Sequence, residues 1–546
     1  MNRITKKVKQ AARIEKLKPT VNFMGGVSYR MNPLDTLKMI AASSVFGEPQ
    51  YYRDGEDVPN TMDSAVKGYA LFDFDGKTTS QVFLEAAQAS LDHDFKGTVE
   101  LAAELRSVYQ MRLNPQIIMV MAASHPFRRE FDEKHPGEFR KINLKVMSRA
   151  DEPAAQFSAW LYLHEGSKAG LPSVLKRSWA DKLGSLTAYQ IGKYKNAEAG
   201  MIDTVRVCHA KGKLIGELME TGAVQVKESE KTWENLRSAG KSFREIFGSI
   251  KMPHMALLRN LRNILSEVTD RSKESRAYVK EVLDRLVQGV EGGKQFPFRY
   301  YSALDALVKE DRASAVPFIE LAKDALEQCV DKSIDGMPRL KGRTACLSDN
   351  SSSAGNGFPS EYGTMDMACI GNLSSVVAGK LSDKAVVGLF GDRLTMVEVS
   401  QAKGCLEQAR RLDDQGGRVG GGTENGIWLF FRDAIEKKES YDNIFVFSDQ
   451  QAGHGGLYGT GSSYVIGGKD FRLEGRSRYI DVLALLKEYK SKVNPRVNFF
   501  TVQTAGYPNA LIPEYIHRGA VLTGWTGKEA VFAAEIIRQW DQLEAK

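Results

Sequence analysis

Between Gln81 and Val330, apolar residues return every three or four positions, the spacing that gathers them on one face of an α-helix. The segments Val82–Leu91, Leu101–Met111, Ile202–Met219 and Ala277–Val290 show it best, and Pro253 and Pro317 stand where a helix can begin. Strand-like alternation is scarce there. Helices with no sheet to cover must pack on one another, so this half predicts an α-solenoid or ring of helix pairs, although no fixed repeat length emerges.

Beyond the polar, glycine-containing stretch Asp331–Gly342 the pattern changes to strand, loop and helix in alternation. Short apolar runs at Thr344–Leu347, Ala385–Leu389, Asn443–Phe447 and Val497–Val502 predict strands, with helical periodicity between them at Trp428–Lys437 and Tyr479–Tyr489. That order predicts a mostly parallel, doubly wound sheet, whose ligands bind at the carboxyl ends of the strands.

Composition narrows the picture. A chain of 546 residues is too long for one hydrophobic core and implies at least two domains. The hydrophobic share of 42% and charged share of 26% are those of a globular chain that folds throughout. The longest apolar run, Ile117–Ala123, falls well short of the ~20 residues of a membrane helix, and the first residues lack an apolar signal core. A cytoplasmic protein with no membrane partner is expected. Cys208, Cys329, Cys346, Cys369 and Cys405 are odd in number and never form a CxxC pair, so free, mostly buried thiols are expected. The net charge of +7 lies wholly in residues 1–340, which hold 51 Lys and Arg against 44 Asp and Glu. A basic N-terminal half is compatible with a phosphate-backbone partner but does not demand one.

Candidate chemistry follows the first predicted strand. In Ser348–Ser353, residues Asp349, Ser351 and Ser353 form a DxSxS pattern, a carboxylate and two hydroxyls able to hold a hard divalent cation through oxygen. Thr423, in a glycine-rich loop, and Asp449, after the strand ending at Phe447, add a hydroxyl and a second carboxylate. In order and placement these five resemble the metal-ion-dependent adhesion site of von Willebrand factor A domains, with Mg²⁺ as the expected ion. The plainer reading is that Asp349 and Ser351 cap the next helix. No nucleophile and base stand together beside them, so no catalytic residues are assigned and a non-enzyme is expected. The glycine-rich Gly453–Gly468, with His454, lacks the Lys-Ser/Thr of a phosphate-binding loop and reads as a mobile loop near the metal.

Several stretches carry a family resemblance. Gly25-Gly26 with Asn32–Met39 and the Gly47–Arg53 turn, Asn114-Pro115-Gln116, Met252-Pro253 leading to Ala256–Leu261, and Pro297-Phe298 leading to Ala303-Leu304 are similar to segments of the Ro autoantigen, or TROVE-domain, family. So is Lys193-Tyr194-Lys195 with Asp203–His209. The resemblance implies a HEAT-like helical-repeat ring over residues 1–335 and a von Willebrand factor A-like domain over 343–546, in a monomeric protein. It implies binding of small structured, Y-like RNA on the outer surface, and of 3′ ends of misfolded non-coding RNA, in RNA quality control or maturation. An exoribonuclease such as polynucleotide phosphorylase is the implied protein partner.

The resemblance implies Lys193 and His209 as outer-surface RNA contacts; Lys195 and Arg206 in the same stretch, and Arg259 and Arg262 on a later helix where Arg271, Lys273, Arg276 and Lys280 follow, are further candidate RNA-binding residues by their charge. Lysines and arginines neutralise phosphates, and a histidine can bond a phosphate or a base edge. The family's arginine shortly after the KYK falls on or near Ala197 here. The bland alternatives are a solvated helix face for the cations and an interhelical hydrogen bond for His209. A competing class is a metal-dependent protein-interaction scaffold without RNA binding.

Overall fold

The computed structural model of the chain describes residues 20–21, 27–43, 79–194, 200–226, 232–293, 295–314, 316–352, 354–355, 365–421, 425–450, 464–472, 479–504, 509–513, 515–524 and 526–545. It divides into two compact units: Pro33–Ala41 with Ser80–Met252, and Met1–Asn32 and Ala42–Thr79 with Pro253–Lys546.

The first unit is helical. Helix Leu113–Ser124 carries the longest apolar run, and Ile117 to Val120 are buried because helices Phe95–Ser107 and Glu152–Leu163 pack against it. Asn114-Pro115-Gln116 does open this helix. Its two amides point inward: Asn114 donates to the Ala41 carbonyl at 2.8 Å, and Gln116 accepts from Gln156 at 2.8 Å. Gln156 also donates to Asn143 at 2.7 Å and accepts from the Trp179 indole N–H at 2.7 Å. A buried polar chain of this kind fixes helix register, since each donor left unpaired costs about 1–3 kcal/mol. The expected helix Ile202–Met219 is instead two, Met201–Cys208 and Lys213–Thr221. The apolar spacing continues across the break, but His209 (φ 55°) and Gly212 (φ 147°) turn the backbone out of the helical region.

The second unit begins with helices His254–Ser266, Lys273–Gln288, Pro297–Ser314 and Ile319–Ile334, packed on one another. Pro253 sits at the N-cap of the first, and the fourth starts two residues after Pro317. The fourth meets helix Cys405–Gly416 of the following α/β layer: the Glu327 carboxylate accepts from the backbone N–H groups of Leu406 (2.9 Å) and Glu407 (2.6 Å). A carboxylate at a helix N-terminus satisfies orphan donors and the helix dipole together. Burial raises the carboxyl pKa of Glu327 while these two bonds oppose the rise.

The sheet has seven strands: β1 (Leu340–Asp349), β2 (Ser382–Phe390), β3 (Leu394–Glu398), β4 (Asn443–Ser448), β5 (Asn498–Gln503), β6 (Tyr515–Ile516) and β7 (Gly519–Thr523). Their order is β6-β7-β5-β4-β1-β2-β3, parallel throughout except for β3 and β6 at the edges. The four expected strands are β1, β2, β4 and β5. Strands β4 and β5 are buried along their whole length, as expected of strands covered on both faces. Strands β3, β6 and β7 are not among those expected, although β7 carries a short apolar run, Ala520–Leu522.

An N-terminal strand, Val27–Arg30, pairs with Thr20–Val21 and with Asn509–Ala510, and Tyr29 enters the core formed with Trp428, Phe431, Tyr489 and Phe499. The fold class is therefore the one the pattern predicts, helices packed on helices followed by a doubly wound α/β layer. Among the described residues no helix is long and apolar enough to cross a membrane. Four cysteines are buried free thiols and Cys369 is half-buried.

Candidate metal centre and nucleic-acid interface

Strand order reverses about β1, whose successor β2 lies on one side and β4 on the other. A crevice at such a point opens outside the carboxyl ends of the strands. Asp349 ends β1 and Asp449 follows β4, so the sequence places both carboxylates there. Both are almost fully buried, Asp349 3% exposed and Asp449 2%. The Ser448 hydroxyl lies between them, 2.9 Å from Asp349 Oδ2 and 3.4 Å from Asp449 Oδ1. The Ser351 N–H donates to Asp349 Oδ1 at 3.0 Å, and Ser351 is itself buried.

Ser353 and Thr423 lie outside the described residues, as do Gly453–Ser463 of the glycine-rich loop with His454. Ser352, beside Ser353, and Gly421, two residues before Thr423, are described, and they touch. Ser352 N–H donates to the Gly421 carbonyl at 3.2 Å, and Gly421 N–H donates to Asp392 at 3.1 Å, so the loop leading to Thr423 is bonded to the DxSxS loop. Gly391 and Gly420 allow this approach, because a Cβ on Gly391 would stand 2.2 Å from the Gly420 carbonyl oxygen.

The donor set suits a hard divalent cation. Burial, then the neighbouring Asp449 carboxylate, push the Asp349 carboxyl well above its ordinary range, and no basic side chain among the described residues is paired with it. Two carboxylates held together out of water require positive charge or a proton. Asp349, Asp449 and Ser351, with the expected Ser353 and Thr423, are the residues that would hold a divalent cation. Among the described residues no three His, Cys, Asp or Glu side chains converge. Asp349 and Ser351 do not cap the next described helix, Met367–Lys380: Asp366 does, accepting from Cys369 N–H at 2.8 Å.

The cations expected to meet RNA fall in both units. In the first, Lys193 lies near the end of helix Ala188–Tyr194, its ammonium 5.4 Å from the Tyr194 ring centre and 5.9 Å from that of Tyr189. Arg149 covers Tyr194 as well, at 5.1 Å. Arg206 is exposed and paired with Asp203 at 3.2 Å, and His209 is exposed just past the same helix. An exposed pair of this kind is worth under about 1 kcal/mol, so Arg206 can exchange Asp203 for a phosphate at little cost. The tyrosines are an addition that spacing could have revealed, since Tyr189 and Lys193 lie four apart on one helix face. Lys195 and Ala197 lie outside the described residues.

In the second unit, Arg259 and Arg262 are exposed on helix His254–Ser266, while Ala256, Leu257, Leu258, Leu261, Ile264 and Leu265 form its buried face. Arg271, Lys273, Arg276 and Lys280 are exposed on or just before the next helix. Among the described residues none of these six cations has a carboxylate partner.

Comparison with known proteins gives two findings. Residues 224–338 match the sequence model of the TROVE domain, a stretch that includes Arg259 and Arg262 but not Lys193, Arg206 or His209. Among solved structures, the crystal structure of the Deinococcus radiodurans Ro (RSR) protein matches with a TM-score of 0.53 and 12% sequence identity, covering 92% of this chain and 100% of that one. No curated protein matches the chain.

Proposed function

We propose that this chain, a Ro-like protein carrying a TROVE domain, is a non-catalytic RNA-binding protein. The observation that carries the reading is the row of exposed cations Arg259, Arg262, Arg271, Lys273, Arg276 and Lys280 within the TROVE-matched stretch. On the same helix Arg285 pairs with Glu281 at 2.7 Å, one turn away. Among the described residues these six have no carboxylate partner, and Lys273 and Arg276 sit in the first turn of their helix, where the dipole disfavours them. A polyanion offsets both costs, because phosphates accept paired N–H bonds from arginine and release counterions on binding.

The RNA best suited to this row is one with a single-stranded 3′ end beside a duplex, such as a misfolded non-coding RNA. Lys193, Arg206 and His209, with Tyr189 and Tyr194 as stacking surfaces, form a second face suited to a small structured RNA. Delivery of the bound RNA to an exoribonuclease in the cytoplasm completes the reading. The test is filter binding of the full chain to a duplex with a 3′ tail at 50 and 200 mM salt. With six phosphate contacts the affinity should fall about a thousandfold between them; affinity that is absent, or flat with salt, overturns the reading.

The buried carboxylate pair favours a second activity on the same chain, divalent-dependent capture of a protein carboxylate at the Asp349 site. Chelator abolishes such capture and leaves RNA binding through the cation row in place, which separates a pure interaction scaffold from an RNA-binding protein.

A further inference from the structure

Two runs of buried and half-buried polar side chains, one ending at Tyr301 and the other at the adjacent Tyr300 of helix Pro297–Ser314, connect through that helix the DxSxS loop and the helix that bears Arg259 and Arg262. The first starts at Asn350, between Asp349 and Ser351. The Asn350 side chain exchanges two hydrogen bonds with Asn372 (3.1 and 3.0 Å), and donates to the Ser348 carbonyl at 3.0 Å. Asn372 donates to Asp413 Oδ1 at 2.7 Å. Asp413 Oδ2 accepts from the Tyr301 hydroxyl and from the Cys369 thiol. The second run begins at the preceding residue of the same helix: Tyr300 is fully buried and shares a 3.0 Å hydrogen bond with His254 Nε2, in the first turn of helix His254–Ser266.

Glycines hold the far ends of both runs tightly. A Cβ on Gly416 would stand 2.0 Å from Asn350 Oδ1, and one on Gly293 would stand 2.2 Å from the His254 ring. These ends therefore occupy fitted notches, and the members of either run cannot shift singly without leaving a buried donor or acceptor unpaired.

We propose that cation binding at the Asp349 loop and RNA binding at the Arg259–Arg262 face are thermodynamically coupled through Asn350, Asn372, Asp413, Tyr301, Tyr300 and His254. The inference rests on the metal and RNA readings above and adds a link between them. Asp349 and Ser351 can share one cation only if Asn350 between them holds its position, which Asn372 fixes. Asn372 and Tyr301 are thus positioning residues for a site neither touches. Whatever the cation contributes in ordering the loop is passed to the packing of helix Pro297–Ser314, and so to the helix presenting the arginines. Linkage then requires RNA to tighten the cation by the same factor as the cation tightens RNA.

The test uses the full chain, with Mn²⁺ titrated calorimetrically and a 3′-tailed duplex RNA titrated with and without saturating Mn²⁺. Wild type should bind RNA about fivefold tighter with Mn²⁺. Tyr301→Phe should bind Mn²⁺ about tenfold more weakly, as removal of a metal site's supporting hydrogen bonds does, and should lose most of the effect of Mn²⁺ on RNA. A Tyr301→Phe protein with a lower thermal midpoint in EDTA but an unchanged Mn²⁺ affinity would show the two runs to be structural only, and would overturn the proposal. Asn372→Ser carries the same test should Tyr301→Phe fail to fold. Wild type alone separates the other failures: no Mn²⁺ binding removes the metal reading, no RNA binding removes the RNA reading, and either removes the coupling. Binding of both without mutual effect removes the coupling alone.

Discussion

Asp349, buried, and Asp413, half-buried, are both carboxyls of the α/β layer, but they answer to different partners. Asp349 faces Asp449 across the Ser448 hydroxyl, and its proximity to a second carboxylate makes it costly without a cation. Asp349→Ala should therefore abolish the Mg²⁺-dependent rise in thermal midpoint, a rise corresponding to about 2.7 kcal/mol at a hundred times the dissociation constant. In EDTA the mutant should be no less stable than wild type, since repulsion leaves with the carboxylate; an unchanged Mg²⁺ shift would remove Asp349 from the site. Asp413 has three donors, and burial pushes it up to about 6 from 3.8, with the Asp366 carboxylate adding to the rise. Its folded pKa is raised, so its contribution is present below about pH 4 and is lost as pH rises through 6. Asp413→Asn should flatten the fall in unfolding free energy between pH 4 and 6, read by urea denaturation; an unchanged slope would assign that dependence to other groups. At this scale the sequence was informative where chemistry repeats a known order, as in Asp349, Ser351 and Asp449. It was silent on Asn372, Asp413 and Tyr301, which lie 41 residues (Asn372 to Asp413) and 112 residues (Tyr301 to Asp413) apart and leave no local signal.

Helices and strands were legible where burial is one-sided or complete along a segment, and less so where a single backbone angle decides. Apolar spacing carries through Ile202–Met219, yet His209 and Gly212 split it. Strand β3 is missed because it is an antiparallel edge with mostly exposed or half-buried side chains, and so lacks an apolar run. Helix His254–Ser266 is the opposite case, its buried leucines and exposed arginines visible from spacing alone. Because Arg259 and Arg262 sit on the face away from the core, replacing both with Gln should leave the circular dichroism spectrum unchanged. It should lower affinity for 3′-tailed RNA at low salt and reduce the slope of log affinity against log salt by about 2. Equal slopes for the two proteins would make these arginines an ordinary solvated face.

Across the whole chain, contacts are gathered in a way sequence order does not suggest. The strand Val27–Arg30 belongs with the C-terminal layer, pairing at Asn509–Ala510, and the Ser43 hydroxyl donates to the Gln503 carbonyl at 2.9 Å across 460 residues. Pairings of such range leave no periodic trace, whereas the helical and α/β halves themselves were legible because each obeys one repeated rule of burial. The division also sorts the cations: Lys193, Arg206 and His209 lie in the unit ending at Met252, and Arg259 and Arg262 in the unit that resumes at Pro253. Two faces on separately packed units should be separable by mutation. Lys193→Gln combined with His209→Ala should weaken binding of a small structured RNA while leaving 3′-tailed RNA bound as in wild type, since neither substitution touches the arginine helix. Competition between the two RNAs at two salt concentrations reads this directly. Loss of both RNAs would mean one shared surface, and loss of neither would leave Lys193 as a cation resting on Tyr189 and Tyr194 with no RNA to bind.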